Sequence, residues 1–352
     1  MNGKTPSIAV AGAGSIGCHV GACLALAGRD VTLLGRPDVV AAAARGLRVV
    51  GLDGRSRTLA PGGAVRATAE PAAALAGADV VLVTVKSGDT AAMAGLIAAY
   101  ARADAVVVSL QNGVGNLPIL RSRVGSGRAV LGAMVPFNVV RSDEADGTMS
   151  FRRATGGDIL IEAGRPGLRA LLDVEGCPVR ETPDIEAVLW GKLLLNLNNA
   201  LNALSGQPLA RQLADRRWRR VLAAQIAEAL SVMRRAGIRP AKIGAIRPGL
   251  LPYLLRLPDA LFVRLARRML AIDPTARSSM WEDLQRGRRT EIAEFQGAIE
   301  RLAAANGIDA PLSRRIAALV REAEAAGRGS PGLTPDAVNG RCEGPTTDGT
   351  RL

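Results

Sequence analysis

The chain has 352 residues, a net charge of +13, and 48% hydrophobic, 22% charged and only 3% aromatic residues. That balance excludes wholesale disorder, and the length suggests two domains. The charge invites a nucleic-acid reading, but 41 of the 45 basic residues are arginine, spread over the whole chain, so no nucleic-acid partner is expected.

Ser7–Ala11 is a short apolar strand, and Gly12-Ala13-Gly14-Ser15-Ile16-Gly17 follows it at once. A small-residue helix over Cys18–Ala27 ends near Gly28, and Asp30–Leu34 is a second strand. A G-x-G-x-x-G turn in this strand–turn–helix–strand order predicts a dinucleotide site. Gly12 permits the tight turn, Gly14 lets the backbone approach a pyrophosphate, and Gly17 lets the helix lie close to the sheet. The helix N-terminus adds N–H groups and partial positive charge. The second strand ends in Gly35-Arg36 rather than in a carboxylate, so Arg36 is assigned to the 2′-phosphate of NADP and the expected cofactor is NADPH/NADP.

His19, the only histidine, falls in this first helix and is expected on its surface. One histidine argues against Ser-His-Asp, Cys-His and histidine-ligated metal chemistry. Tyr100 and Tyr253 are not followed by a lysine four residues on, so any proton donor is expected to be Lys, Asp or Glu. The cysteines, Cys18, Cys23, Cys177 and Cys342, lack C-x-x-C spacing and predict neither a zinc site nor a disulfide framework, only small buried or incidental thiols.

Asp79–Val85 and Ala105–Leu110 read as parallel strands buried on both faces. Each ends in a polar signature, Lys86-Ser87 and Gln111-Asn112-Gly113. Ligands of open α/β sheets sit at the carboxyl ends of strands, so Lys86 and Asn112 are expected to face the nicotinamide half; ordinary loop polarity is the alternative. Val130–Phe137, Gly147–Arg152 and Asp158–Glu162 read as later strands, with Pro178–Arg180 closing a Rossmann NADP-binding domain over residues 1–183.

After Pro183, helical spacing recurs over Ile185–Leu204, Ala210–Ala236, Ala260–Leu270, Ser279–Arg286, Thr290–Asn306 and Leu312–Ala326. Residues 184–327 are therefore expected to form an all-helical domain, which the resemblance given below makes the substrate and catalytic domain, and 328–352, rich in Gly, Pro, Thr and Asp, a disordered tail. The apolar stretches 187–204 and 250–270 are interrupted too often to span a bilayer. With no signal peptide evident, a cytoplasmic protein without membrane association is expected. The basic, leucine-rich 250–270 segment admits ordinary packing, a homodimer face or a membrane-surface helix, with packing favoured.

Two helices carry the chemistry. In Trp190–Asn202, at about 100° per residue, Asn196 lies roughly 40° from Lys192 and Asn199 roughly 20° to its other side, while Leu194, Leu197, Leu201 and Leu204 crowd the opposite face. Such a polar stripe is costly to bury unless paired or facing a wet cleft; a salt-bridged interdomain lysine is the plainer reading. The segment Ser278–Ile292 reads by itself as a charged, solvated helix pair capped by Ser278 or Ser279.

Taken together, Gly12–Gly17, Val85-Lys86, Gln111-Asn112-Gly113, Trp190-x-Lys192-x-x-x-Asn196 and Ser278-Ser279-Met280…Arg289-Thr290-Glu291 resemble the ketopantoate reductase (2-dehydropantoate 2-reductase) family, in order and spacing, over residues 7–326. The resemblance implies an NADPH-dependent reductase of a 2-oxo acid, ketopantoate foremost, in pantothenate and coenzyme A biosynthesis, with its active site in the interdomain cleft. It implies Lys192 as general acid, Glu291 binding the substrate hydroxyl, Asn196 and Ser279 holding the oxo-acid, and Asn112 and Lys86 lining the nicotinamide side. The family's second helix asparagine is replaced by Ala200, with Asn199 one residue earlier as a stand-in. A related reductase of another bulky 2-oxo acid and a non-catalytic NADP-binding sensor are the alternatives. Burial would lower the Lys192 pKa and Glu291 would raise it; sequence leaves the net direction open.

Overall fold

The computed structural model describes residues 5–63, 65–242, 244, 246–265 and 275–340. The chain divides into two compact units, Met1–Leu189 and Trp190–Leu352.

The first unit alternates strand and helix: β1 Ser7–Ala11, α1 Ser15–Leu26, β2 Asp30–Leu34, α2 Pro37–Ala43, β3 Leu47–Val50, β4 Ser56–Leu59, β5 Val65–Thr68, α3 Pro71–Leu75, β6 Val80–Val83, α4 Thr90–Tyr100, β7 Val106–Ser109 and α5 Asn116–Arg123. It continues through β8 Val130–Met134, β9 Val139–Asp143, β10 Met149–Arg153, β11 Ile159–Glu162, α6 Leu168–Leu172 and β12 Val179–Thr182. Eight strands form one sheet in the order β12-β11-β8-β7-β6-β1-β2-β5. All neighbours are parallel except β8 and β11. The parallel core strands are buried on both faces, as their unbroken Val, Leu, Ile and Ala runs require. Chain order reverses between β1 and β6, the switch point at which a Rossmann-type sheet opens a ligand crevice.

A second sheet, β4-β3-β10-β9, was not anticipated. Gly147–Arg152, expected among the Rossmann strands, instead supplies β10 to this sheet, parallel to β3 and antiparallel to β9. Helix α1 packs against the large sheet on one side and against β3, β9 and β10 on the other. It therefore has no solvent face, which corrects the placement of His19: the residue is 1% exposed. Its Nε2 lies 3.3 Å from the Gly176 carbonyl, and its ring meets Phe137 edge-on. Burial lowers its pKa below the ordinary histidine value, so it is a neutral core residue. Cys18, Cys23 and Cys177 are free and buried; burial pushes the Cys18 and Cys23 thiols up to about 12 and about 11. Cys342 lies outside the described residues.

The second unit takes in most of α7 (Ile185–Ser205), then α8 Leu209–Ala214, α9 Arg216–Arg235, α10 Leu251–Arg256, α11 Asp259–Leu265, α12 Ser279–Gln285, α13 Gln296–Ala305, α14 Pro311–Ala326 and α15 Pro335–Asn339. The division between the units falls inside α7, whereas the change of character in the sequence was read at residue 183. The single helix expected over Ala210–Ala236 is two, because the Asp215 side chain accepts from the Arg217 N–H and starts α9 afresh. The helix expected from Thr290 begins only at Gln296, since the backbone before it is a turn pinned by side chains. In the 250–270 segment, Leu251, Leu255 and Phe262 are buried while Leu250, Tyr253, Leu261, Val263 and Leu265 are exposed; residues 266–270 lie outside the described residues.

Residues 328–340, expected to open a disordered tail, are ordered. Ser330 Oγ donates to the Ala203 carbonyl, Leu333 N to that of Leu204, and Thr334 caps α15. Val338 is fully buried, which offsets the ordering entropy that the Gly- and Pro-rich composition alone does not offset. Residues 341–352 lie outside the described residues. Among the described residues, no helix is long and apolar enough to cross a membrane.

Candidate active site

The first unit gathers its predicted residues at the carboxyl ends of β1, β2, β6 and β7. Gly12 has φ +118°, a left-handed conformation costly for other residues, and a Cβ there would lie 2.6 Å from Val85 N. A Cβ on Gly17 would lie 2.1 Å from the Gly12 carbonyl oxygen and 2.6 Å from Thr84 Oγ1. Gly14 differs: it is exposed, it opens α1 with no side-chain cap, and a Cβ there would meet nothing within 4 Å. Two glycines are thus required by the protein itself, and the third leaves open space beside a helix N-terminus whose N–H groups suit an anion. Ala13, Ser15 and Ile16 complete the turn, half-buried. This cradle fits a dinucleotide pyrophosphate.

Arg36, at the N-cap of α2, is exposed and lies 3.7 Å from Asp38, leaving its guanidinium accessible to a phosphate. Lys86 is exposed just after β6, and Asn112 is half-buried in the turn after β7. Behind both runs a buried chain of side chains the sequence reading did not single out, Thr90 and Asn116, together with Gln111 of the Gln-Asn-Gly signature. Their polar character was visible; their convergence across 26 residues of sequence was not.

The second unit gathers the remaining residues around α7. Leu193, Leu194, Leu197, Ala200, Leu201 and Leu204 are buried, while Lys192, Asn196 and Asn199 are half-buried on the polar stripe. Asn202, whose role the sequence pattern did not reveal, is fully buried and is the joint between α7 and α12. Its Nδ2 donates to Gln212 Oε1 and the Gln207 carbonyl, and its Oδ1 accepts from Ser278 N at 2.8 Å. Ser278 is the cap of α12, accepting from Trp281 N, and its hydroxyl donates to the Asn199 carbonyl. Ser279 follows, exposed, at the first position of that helix. Ala200, where the resemblance implied an asparagine, faces the apolar core with no exposed surface.

Glu291 sits in a turn fixed by two contacts: Thr290 N donates to Glu324 Oε1 at 2.7 Å, and Ile292 N to Thr290 Oγ1. Its carboxylate acts on Lys192. Burial lowers the Lys192 pKa from 10.5 to about 8, and the negative charge of Glu291 opposes that shift without cancelling it. The direction that sequence left open is therefore downward. Near neutral pH the amine is protonated yet close to the point of giving up its proton, the condition a general acid requires.

A parallel sheet with a glycine cradle at its switch point, followed by a helical unit carrying a depressed lysine beside a carboxylate, defines a nicotinamide dinucleotide-dependent oxidoreductase. Two family models match the chain, Ketopantoate reductase PanE/ApbA over residues 8–165 and Ketopantoate reductase PanE/ApbA C terminal over residues 184–324. A 2-dehydropantoate 2-reductase of Archaeoglobus fulgidus is 31% identical, over 91% of this chain and 99% of that protein. The crystal structure of a PanE/ApbA family ketopantoate reductase from Ralstonia eutropha JMP134 is similar with a TM-score of 0.76 and 32% identity, covering 92% of this chain and 99% of that one. The ternary structure of D-mandelate dehydrogenase with NADH and anilino(oxo)acetate shares the fold (TM-score 0.70, 20% identity, 91% and 99% coverage). The chain belongs to the ketopantoate reductase PanE/ApbA family, and it is an oxidoreductase acting on CH–OH groups.

Proposed function

We propose that this protein reduces a 2-oxo acid with NADPH, ketopantoate (2-dehydropantoate) foremost, in the cytoplasm. The observation that carries the reading is the half-buried Lys192, with its pKa lowered to about 8 and Glu291 beside it, on a helix whose other face is packed leucine. Gly12–Gly17 would hold the pyrophosphate, Arg36 the 2′-phosphate, and Lys86 and Asn112 the nicotinamide end. When bound, NADPH supplies a hydride to the substrate carbonyl carbon. Lys192 stabilises the negative charge growing on the carbonyl oxygen and gives that oxygen its proton. Asn196, Asn199 and Ser279 hold the carboxylate and oxo group, and Glu291 accepts from the substrate hydroxyl. The free, buried thiols suit a reducing compartment.

A steady-state assay of NADPH oxidation against ketopantoate and a panel of 2-oxo acids tests the reading; absence of turnover with every member would refute it. The second reading, a different bulky 2-oxo acid, is favoured by the placement of the helix amide at Asn199, half-buried on the Lys192 stripe, while position 200 is packed into the core. Preference for another acid over ketopantoate in the same panel would establish it.

Two further outcomes are expected. An acid that must be protonated makes kcat/KM fall as pH rises through its pKa, so the alkaline limb should lie near pH 8. An unburied lysine would place that limb above about pH 10, so a profile flat to that point would contradict the lowering of the Lys192 pKa by burial. Arg36→Ala should raise the KM for NADPH by about 10- to 100-fold, the worth of a charge-assisted phosphate contact, with little effect on NADH. Equal losses with both cofactors would contradict the assignment.

A further inference from the structure

The loops after β6 and β7 are joined by a buried hydrogen-bond chain whose direction is fixed from end to end. Ser109 Oγ donates to Gln111 Oε1 (3.1 Å), and Gln111 Nε2 donates to the Val85 carbonyl (3.0 Å) and to Thr90 Oγ1 (2.7 Å). The Thr90 hydroxyl donates onward to Asn116 Oδ1 (2.7 Å), and Asn116 Nδ2 donates to Ser87 Oγ (3.0 Å) and the Asn112 carbonyl (2.6 Å). Thr90 is 0% exposed, Asn116 2%, Gln111 6% and Ser87 7%. A hydroxyl has one proton to give, so Thr90 accepts from one amide and donates to the other. Rotating the Gln111 amide would set its oxygen against the Val85 carbonyl, and rotating that of Asn116 would set its oxygen against the Asn112 carbonyl.

Packing two loops together does not require this chain, and apolar side chains would do it without the desolvation cost. What distinguishes it is where it ends. It grips the backbone at Val85, one residue before Lys86, and at the carbonyl of Asn112 itself. These are the two polar positions beyond β6 and β7, on the side of the switch point opposite the adenosine strand β2. We infer that Thr90, with Gln111 and Asn116, is a positioning element for the nicotinamide end of the site. It sets the spacing and direction of the 85–87 and 110–113 backbones, so the ring is presented at one depth and angle. This rests on the dinucleotide-dependent reductase reading above.

Thr90→Val keeps the shape and deletes both hydroxyl bonds; Thr90→Ser keeps them. Thermal unfolding, affinity for 2′,5′-ADP (the adenosine half alone), the fluorescence enhancement of bound NADPH, and kcat and KM should be measured for each. Thr90→Val should hold 2′,5′-ADP affinity within about twofold, lose at least about half of the fluorescence enhancement, and lower kcat at least about tenfold with KM for NADPH little changed. Thr90→Ser should restore most of both signals. Wild-type fluorescence and turnover in Thr90→Val would overturn the inference, as would a parallel loss of 2′,5′-ADP binding and thermal stability, the mark of a scaffold. If Thr90→Val does not fold, Ser87→Ala removes a smaller link and should lower kcat about threefold by the same pattern; an unchanged kcat there would overturn it equally. A wild type that binds NADPH but reduces no 2-oxo acid would defeat the functional reading separately, with the fluorescence comparison still deciding the network.

Discussion

Lys192→Ala is expected to lower turnover with the preferred 2-oxo acid by at least about 10²-fold, the usual scale for removing a general acid. The KM for NADPH should change little, because the glycine cradle and Arg36 belong to the first unit and Lys192 to the second. Lys192→Arg separates the two jobs of the amine. A guanidinium keeps the positive charge but does not give up a proton near neutral pH, so this variant should remain close to the alanine level if proton transfer dominates. Glu291→Gln should act on the same group from the other side. Removing the carboxylate leaves burial unopposed, so the Lys192 pKa should drop further and the alkaline limb of kcat/KM should move below pH 8. Rapid-mixing and steady-state measurements of NADPH oxidation across pH check all three. Near-wild-type turnover by Lys192→Ala would remove the lysine from the reaction.

The second large effect is expected in the glycine turn, where neighbouring positions should fail for different reasons. In Gly17→Ala the new methyl would sit 2.1 Å from the Gly12 carbonyl oxygen, which is backbone and cannot swing aside. That oxygen is also held by the Thr84 hydroxyl at 2.6 Å, so the turn can yield only by breaking this bond and lifting α1 off the sheet. A cost of about 1–3 kcal/mol is expected, with NADPH affinity reduced more than about tenfold as the N–H groups of α1 lose their aim. Gly14→Ala should melt like the wild type, since its methyl meets nothing within 4 Å. Its loss should appear only in NADPH binding, because the methyl occupies the space through which a pyrophosphate reaches the backbone. Thermal unfolding paired with NADPH titration distinguishes the two. A Gly14→Ala variant that is stable and binds NADPH normally would contradict the assignment of that open space to the cofactor.

The sequence by itself determined the parts whose signal is local. The β1–glycine turn–α1–β2 order, the unbroken apolar runs of β6 and β7, and the leucine-backed stripe of Lys192, Asn196 and Asn199 are all written within about twenty residues, the span over which periodicity and turn chemistry act. Tertiary structure decided whatever depends on partners far along the chain. The short, charged strands β3 and β4 carry weak patterns of their own; β3 is a strand because it pairs with β10, Leu47 beside Met149. That pairing roofs α1 and turns His19 from a surface residue into a core one. The ordering of 328–340 likewise depends on Val338 finding the core beside α9 and α14, and the joint at Asn202 on meeting Ser278 from 76 residues away. The Lys192 pKa is the same case in electrostatic form. Its residue type and the nearby glutamate could be read from the chain, but the sign of the shift is a contest between desolvation and Coulomb attraction, and only the packed depth of the amine says which is larger.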